Sequence, residues 1–498
     1  MVFSWLAGAT AVWGYLRFSR GVVRASWTDT AWPGQWRQLR IAIGEHYLAE
    51  ALAAVERKEF DLALHYYRTG LARAPGSAEG RLGLARLYVG YGRPDLAKQL
   101  LADNLAYFSR QTEYLRTSLD FLLQFQFDAE LAQACEDLLQ RDLARPERRL
   151  VTLFAATLAF HRGNYDRTEA LLRREGLEDA AEGALLLARA DLERGYAQLA
   201  LLRLQDLIQR NLASDATYVL LAQARRQLGQ LAELERNATL RLANAPLSHA
   251  PRLDFLFLRH EQRDEPALAR EVSSYLQHFA SDQNALLALA DFAAQTGRPD
   301  LTREVQRAFA ARNWPADTLT LLLAEGQIAA QRYADGLATL ENAARIDPES
   351  AKRLSTVHDS LRAVALFGLN RPDEARLHLD HLLAQPNLRA ENLRVVAQRL
   401  VALGRPAAAR AVLLRATELD PLNQLSLTEL VRLDATGRHF ESLPTHARRL
   451  MAMRKPSRDV LSLAARAWSS DLNLLHPEQT KLLHELRQST DRAGANGG

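Results

Sequence analysis

The sequence predicts an all-α chain: a solenoid of about twelve helix-turn-helix repeats. Three observations carry this. First, small residues recur in one phase, at Ala63, Ala97, Ala132, Thr168, Ala200 and Leu234, and again at Thr302, Gly336, Ala375, Ala409 and Leu443, mostly at intervals near 34. A blurred copy lies around Ala269, and the third and seventh units match poorly. Second, apolar residues three and four apart give each segment one buried helical face. Third, strand signals are almost absent.

Within the fullest copy, Asn392 to Pro421, each residue type has a physical reason. Ala397 and Ala409 are small, so two paired helices can approach closely. Gly404-Arg405-Pro406 stops the first helix and starts the second, since proline's fixed φ suits a first helical position. The same punctuation stands at Gly92-Arg93-Pro94 and Gly297-Arg298-Pro299, and Pro75, Pro348 and Pro421 end their units. A longer step between Gly336 and Ala375 predicts an extended linker near Glu349 to Ser355. A single such unit cannot bury its apolar face, so neighbours must stack.

The spacing of Ala397, Gly404, Pro406, Ala409, Leu413, Ala416 and Pro421, echoed by Ala324, Tyr333, Gly336, Leu340, Ala343 and Pro348, resembles the tetratricopeptide repeat (TPR). The resemblance implies a right-handed α-solenoid whose first helices line a concave, peptide-holding groove. The residue after the first small position would point into it: Leu52, Arg86, Thr157, Arg189, Gln223, Asp291, Glu325, Val364, Gln398 and Arg432. Arg86, Arg189, Gln223, Asp291, Glu325, Gln398 and Arg432 are the candidate binding residues. Val55, Val89, Phe160, Leu192, Ile328, Phe367 and Val401 would supply an apolar floor. The expected partners are proteins or peptides, held by a few apolar anchors and hydrogen bonds. The Lys/Asn clamp that some family members use for C-terminal carboxylates has no counterpart here.

Charge argues against nucleic acid. Residues 1–43 hold Arg17, Arg20, Arg24, Arg37 and Arg40 against Asp29, which is the whole formal excess of +4. The remainder is neutral overall, whereas a phosphate-tracking surface needs a concentrated positive stripe. The single cysteine, Cys135, excludes a disulfide framework and reads as a buried core residue. No His-Glu-x-x-His, P-loop or Gly-x-Ser-x-Gly occurs, and Asp and Glu are scattered as solvating charges. The sequence therefore gives no catalytic residue, metal site, cofactor or small-molecule substrate.

Residues 1–23 form the second distinctive region. Met1 to Leu16 is uncharged and mostly apolar, with Trp5, Trp13 and Tyr15, and Arg17 and Arg20 follow. A membrane anchor is the favoured reading, single-pass in an inner membrane with the repeats cytoplasmic by the positive-inside rule. A periplasmic placement, a cleaved signal peptide, and an apolar helix capping the first repeat are the alternatives. Residues 24–43 form a Trp/Arg-rich linker, 44–456 the repeats, 457–488 capping helices and 489–498 a disordered tail. The expected function is a membrane-anchored scaffold for protein-protein interaction, in bacterial envelope or complex assembly. The alternative is a soluble or periplasmic scaffold for polysaccharide export or secretion machinery.

Overall fold

A computed structural model describes residues 2–385, 388–470 and 477–495. Every regular element among them is helical, and the helices follow one another as antiparallel pairs in a repeat arrangement. Cα packing divides the chain into two compact units, 1–158 and 159–498. In the first, the helices Trp36–Glu56 and Phe60–Arg73, Ala78–Gly90 and Pro94–Ala102, and Thr112–Gln124 and Asp128–Leu139 form successive pairs. The second continues the pattern from Tyr165–Arg174 to Leu443–Met451.

The repeat is written most clearly in the backbone. One residue with φ between 55° and 85° closes the first helix of every pair: Lys58, Gly92, Gln126, Gly163, Gly195, Gly229, Arg263, Gly297, Gln331, Asn370, Gly404 and Arg438. Eight of the eleven intervals between them are 34, so this position is under the same constraint in each unit. At each, the next residue's N–H reaches back five positions, as Arg93 N to Tyr88 O at 2.8 Å and Arg405 N to Leu400 O at 2.9 Å. This left-handed cap satisfies carbonyls that the helix end leaves open. Gly404 has open space where a Cβ would go, so Gly404→Ala tests backbone strain alone. It is expected to cost about 1 kcal/mol, whereas Gln331→Gly should be close to neutral, as read by chemical denaturation.

The small-residue series is buried at Ala63, Ala97, Thr168, Ala200, Leu234, Thr302, Ala375, Ala409 and Leu443. It slips at the two poorly matched units. Around Ala132, Leu131 and Cys135 take the buried places, and around Ala269, Ala267 and Leu268 do. Both units keep their helix pairs and caps, because a phase shift of one or two residues still leaves an apolar helical face. The long step before Ala375 holds a short extra helix, Pro348–Arg353, capped by the Asp347 carboxylate on Ser350 N at 2.9 Å.

The amino terminus departs from the membrane-anchor expectation. No helix of the described residues is long and apolar enough to cross a membrane. The first, Val2–Gly14, gives way to a single π-helical stretch at Tyr15–Ser19. Thirteen residues span about 20 Å, short of the ~30 Å hydrocarbon core. Its indoles are bound to protein: Trp5 Nε1 donates to Ala31 O at 2.8 Å, and Trp13 Nε1 donates to Ala25 O at 3.1 Å. Arg17 donates to Val23 O, and Arg20 to the Tyr47 hydroxyl. Tyr15 stays largely exposed. Val22, Ala25 and Ala42 form a small core beneath, with Leu16, Leu39 and Ile43 packed against it. The segment is thus an apolar helix packed on the short helix Trp27–Ala31, and the single-pass inner-membrane reading falls.

At the other end, Leu482, Leu483 and Leu486 of helix Pro477–Ala495 are buried with Leu450 and Trp468. That helix runs into the stretch expected to be disordered from Ser489. Residues 496–498 lie outside the described residues.

The second unit also returns on itself. Arg162 Nε meets Asp420 Oδ1 at 2.5 Å across 258 residues, about seven and a half repeats of 34. Asn423 Nδ2 donates to Arg162 O, Gln424 N to Gly163 O, and Arg454 N to the Asp166 carboxylate at 2.8 Å. Lys455 Nζ then enters a buried charge cluster, 3.2 Å from Asp191 and 3.5 Å from Glu169. Arg194 bridges the same two carboxylates at 2.8 and 2.6 Å, with 2% of its side chain exposed. Asp191 and Glu169 are therefore structural charges and not solvating ones, as is Asp434, which accepts from Arg410, Ser442 and His446.

Candidate groove on the first unit

Helix Ala78–Gly90 carries Gly80, Gly83 and Gly90 within thirteen residues, an unusual density given that each glycine weakens a helix by about 1 kcal/mol. The cost has a local cause at Gly83. A Cβ there would lie 2.5 Å from the Tyr67 ring, so only glycine lets the neighbouring helix seat that tyrosine. Tyr67 is buried, and burial pushes its hydroxyl up despite the Arg86 guanidinium nearby.

Two hollows open on either side of this contact. One, of about 330 Å³, is walled by Leu52, Val55, Phe60, Leu87 and Tyr91. The other, of about 760 Å³, runs toward Glu45, His46, Glu79 and Glu113. Leu52, Tyr67, Gly83 and Arg86 belong to both, so the two are continuous. Leu52, Phe60 and Tyr91 are 56%, 47% and 44% exposed, large apolar side chains left in water around one recess. Tyr91 is fixed by donating to Asp61 at 2.6 Å, a bond that also raises its pKa. Arg86 is exposed at the shared wall and makes no hydrogen bond or ion pair with another described residue.

The other residues expected to line a groove are distributed differently. Arg189 lies with its guanidinium 4.8 Å above the Phe160 ring. Asp291 accepts from Gln295 at 2.8 Å; crowding, then the Glu325 carboxylate, pushes its carboxyl above the usual range although its side chain meets solvent. Glu325 is ion-paired with Arg399, and Arg432 is held by Glu429 at 2.9 Å. Gln223 is half-buried and Gln398 exposed. Val364 is 2% exposed and faces the core, so it cannot line a groove. In the expected apolar floor, Phe160, Leu192, Ile328 and Phe367 are buried, while Val401 is 44% exposed. Thus the geometry brings Leu52 and Arg86 together at one hollow and Asp291 near Glu325.

Phe60, Tyr67 and Tyr91 were outside the expected set. The glycines of helix Ala78–Gly90 are the sequence signal that could have marked them, since they report a close neighbour. His378 and His381 both reach the buried Asp359, at 3.1 and 2.5 Å, while the His381 side chain stays exposed. Among the described residues no three His, Cys, Asp or Glu side chains gather as a metal-ligand group.

The sequence model of the tetratricopeptide repeat family matches residues 54–116, the stretch that holds most of this groove. No curated protein matches the chain. Among solved structures, the Cut9–Hcn1 hetero-tetramer of the APC/C is 13% identical, with 89% of this chain and 96% of that chain covered and a TM-score of 0.29. Naa15/Naa10 bound to HypK-THB is 12% identical, covering 99% and 97%, with a TM-score of 0.29. The TPR domain of P58(IPK) is 15% identical, covering 80% and 99%, with a TM-score of 0.20.

Proposed function

We propose that this protein is a helical-repeat scaffold that binds a peptide segment of another protein, and that the first unit carries the binding groove. The observation that supports the reading is the paired hollow around Arg86, with Leu52, Phe60 and Tyr91 exposed at its rim. Apolar side chains of this size in a recess are suited to receive one or two anchor residues, and a free guanidinium beside them can take a backbone carbonyl or carboxylate. The family match over residues 54–116 supports a role in protein-protein interaction, because it falls on these same helices.

The test is selection from a random peptide library on the immobilised full-length protein, followed by fluorescence anisotropy with a recovered peptide. The wild type should recover peptides sharing an apolar pair. Leu52→Asp, at an exposed position that leaves folding intact, should weaken them by about tenfold or more, about 1.4 kcal/mol. Undiminished binding by this variant would move the site elsewhere, and recovery of no peptide would overturn the reading.

A further inference from the structure

A third hollow adjoins the groove. It measures about 410 Å³, lies between the start of helix Trp36–Glu56 and the turn at Ala74–Ser77, and is lined by Arg37, Arg40 and Arg73. Glu45 and Ser77 line both this hollow and the larger one of the groove, so the two meet.

Its charge is not neutralised from within. The only carboxylate on its wall, Glu45, is engaged by Arg24 at 2.6 Å. Arg40 Nη2 donates to Ala72 O at 2.9 Å and Arg73 Nη1 to Thr69 O at 3.3 Å, and a carbonyl cancels no charge. Arg37 has no bond to another described residue. Arg37 and Arg40 also sit in the opening turns of their helix, at the positive end of its dipole, with no acidic residue in the first turn and no side-chain cap from Gln35. Cations placed there are disfavoured by the fold itself. Of the five arginines behind the chain's excess charge, Arg24 is paired with Glu45, Arg17 and Arg20 bond a carbonyl and a hydroxyl away from this wall, and Arg37 and Arg40 line the hollow.

Building on the proposed peptide-binding role, we propose that this hollow receives an acidic stretch of the bound peptide, lying to one side of the residues that anchor at Leu52, Phe60 and Tyr91. The occupant is then a segment with a short run of Asp or Glu next to an apolar pair. Guanidinium groups match carboxylates in geometry as well as charge.

Two measurements on the full chain test this. Fluorescein-labelled hexaglutamate should bind the wild type at low salt, weaken as salt is raised, and lose about tenfold in Arg37→Glu plus Arg40→Glu; hexalysine should not bind. In the library selection, wild-type peptides should be enriched in acidic residues, and the double variant should lose that enrichment while keeping the apolar preference. Both arginines are exposed, so the variant keeps its fold, to be checked by its melting curve; Arg40→Gln is the milder substitute. Equal hexaglutamate binding by wild type and variant, or apolar peptides recovered without acidic enrichment, would overturn the inference and leave the groove standing. Displacement of hexaglutamate by an equal concentration of inorganic phosphate would assign the hollow to small anions and overturn it also. Hexaglutamate binding with no peptide recovered would instead retain the basic hollow and remove the groove reading.

Discussion

Arg194→Ala is expected to destabilise the second unit by about 3 kcal/mol, because it removes the most deeply buried cation that Glu169 and Asp191 share, although Arg203 stays 3.0 Å from Asp191. Lys455 replaces it only in part, since it lies farther from both carboxylates, at 3.5 and 3.2 Å. Chemical denaturation measures the loss. The companion variant Lys455→Glu places a third carboxylate against the first two and should release the Met453–Lys455 turn from helix Tyr165–Arg174. Small-angle scattering would then show a larger radius of gyration, whereas an unchanged radius would mean that the contacts at Asn423 and Gln424 suffice to hold the closure. Acid should act in the same direction. Burial alone would raise the Glu169 carboxyl, but the Arg194 hydrogen bond and the Arg194 and Lys455 charges outweigh it and hold the group below its usual range. A carboxyl depressed in the folded state contributes stability that is present above its unfolded pKa of about 4.3 and lost as pH falls through the folded value. The wild type should therefore lose its advantage over Glu169→Gln below about pH 4. Asp166, raised by burial, opposes this, since its ionisation penalty is relieved as pH falls. A Glu169→Gln deficit constant down to pH about 3 would remove the assignment.

The second large effect is expected at Gly44→Leu. A Cβ at Gly44 would stand 2.7 Å from the backbone nitrogen of Ala74 and 2.8 Å from Gly70 O, and backbone atoms cannot swing aside as a side chain can. Gly70 faces back at the same crossing, with its own Cβ position 2.9 Å from Gly44 O. The helix propensity gained is about 1 kcal/mol, and the overpacking cost of about 1–3 kcal/mol or more outweighs it. Helices Trp36–Glu56 and Phe60–Arg73 would be driven apart, and Leu52 and Phe60 with them. A lower thermal midpoint together with loss of peptide binding is the expected result. Peptide binding kept at full strength would show that the groove does not depend on this crossing.

Much of the fold was legible because the repeat imposes one local rule many times over. Glycine at 92, 297 and 404 marks a backbone that turns left-handed, and the positions 34 residues away share that geometry even where Lys58, Gln126 and Arg438 occupy them. Those non-glycine positions were silent in sequence, because a polar residue there looks like any other loop residue. The proposed groove was only half legible. Arg86 and Leu52 could be named from their place in the repeat, but that Arg189 would lie on Phe160, or Glu325 pair with Arg399, depends on neighbours that periodicity does not specify.

The sequence by itself determined the helices, their pairing and their stacking, since each follows from contacts between residues fewer than about forty apart. Tertiary structure alone decided the fate of the amino-terminal apolar helix and of the charges at Glu169, Asp191, Arg194 and Lys455. An apolar stretch reads the same however long a helix it forms, and what removed the membrane span was an α-helix that ends at Gly14, with the Trp5 and Trp13 indoles donating to Ala31 O and Ala25 O. Likewise a carboxylate on a helix reads as solvated until a lysine more than 260 residues away is brought to within 3.2 Å of it.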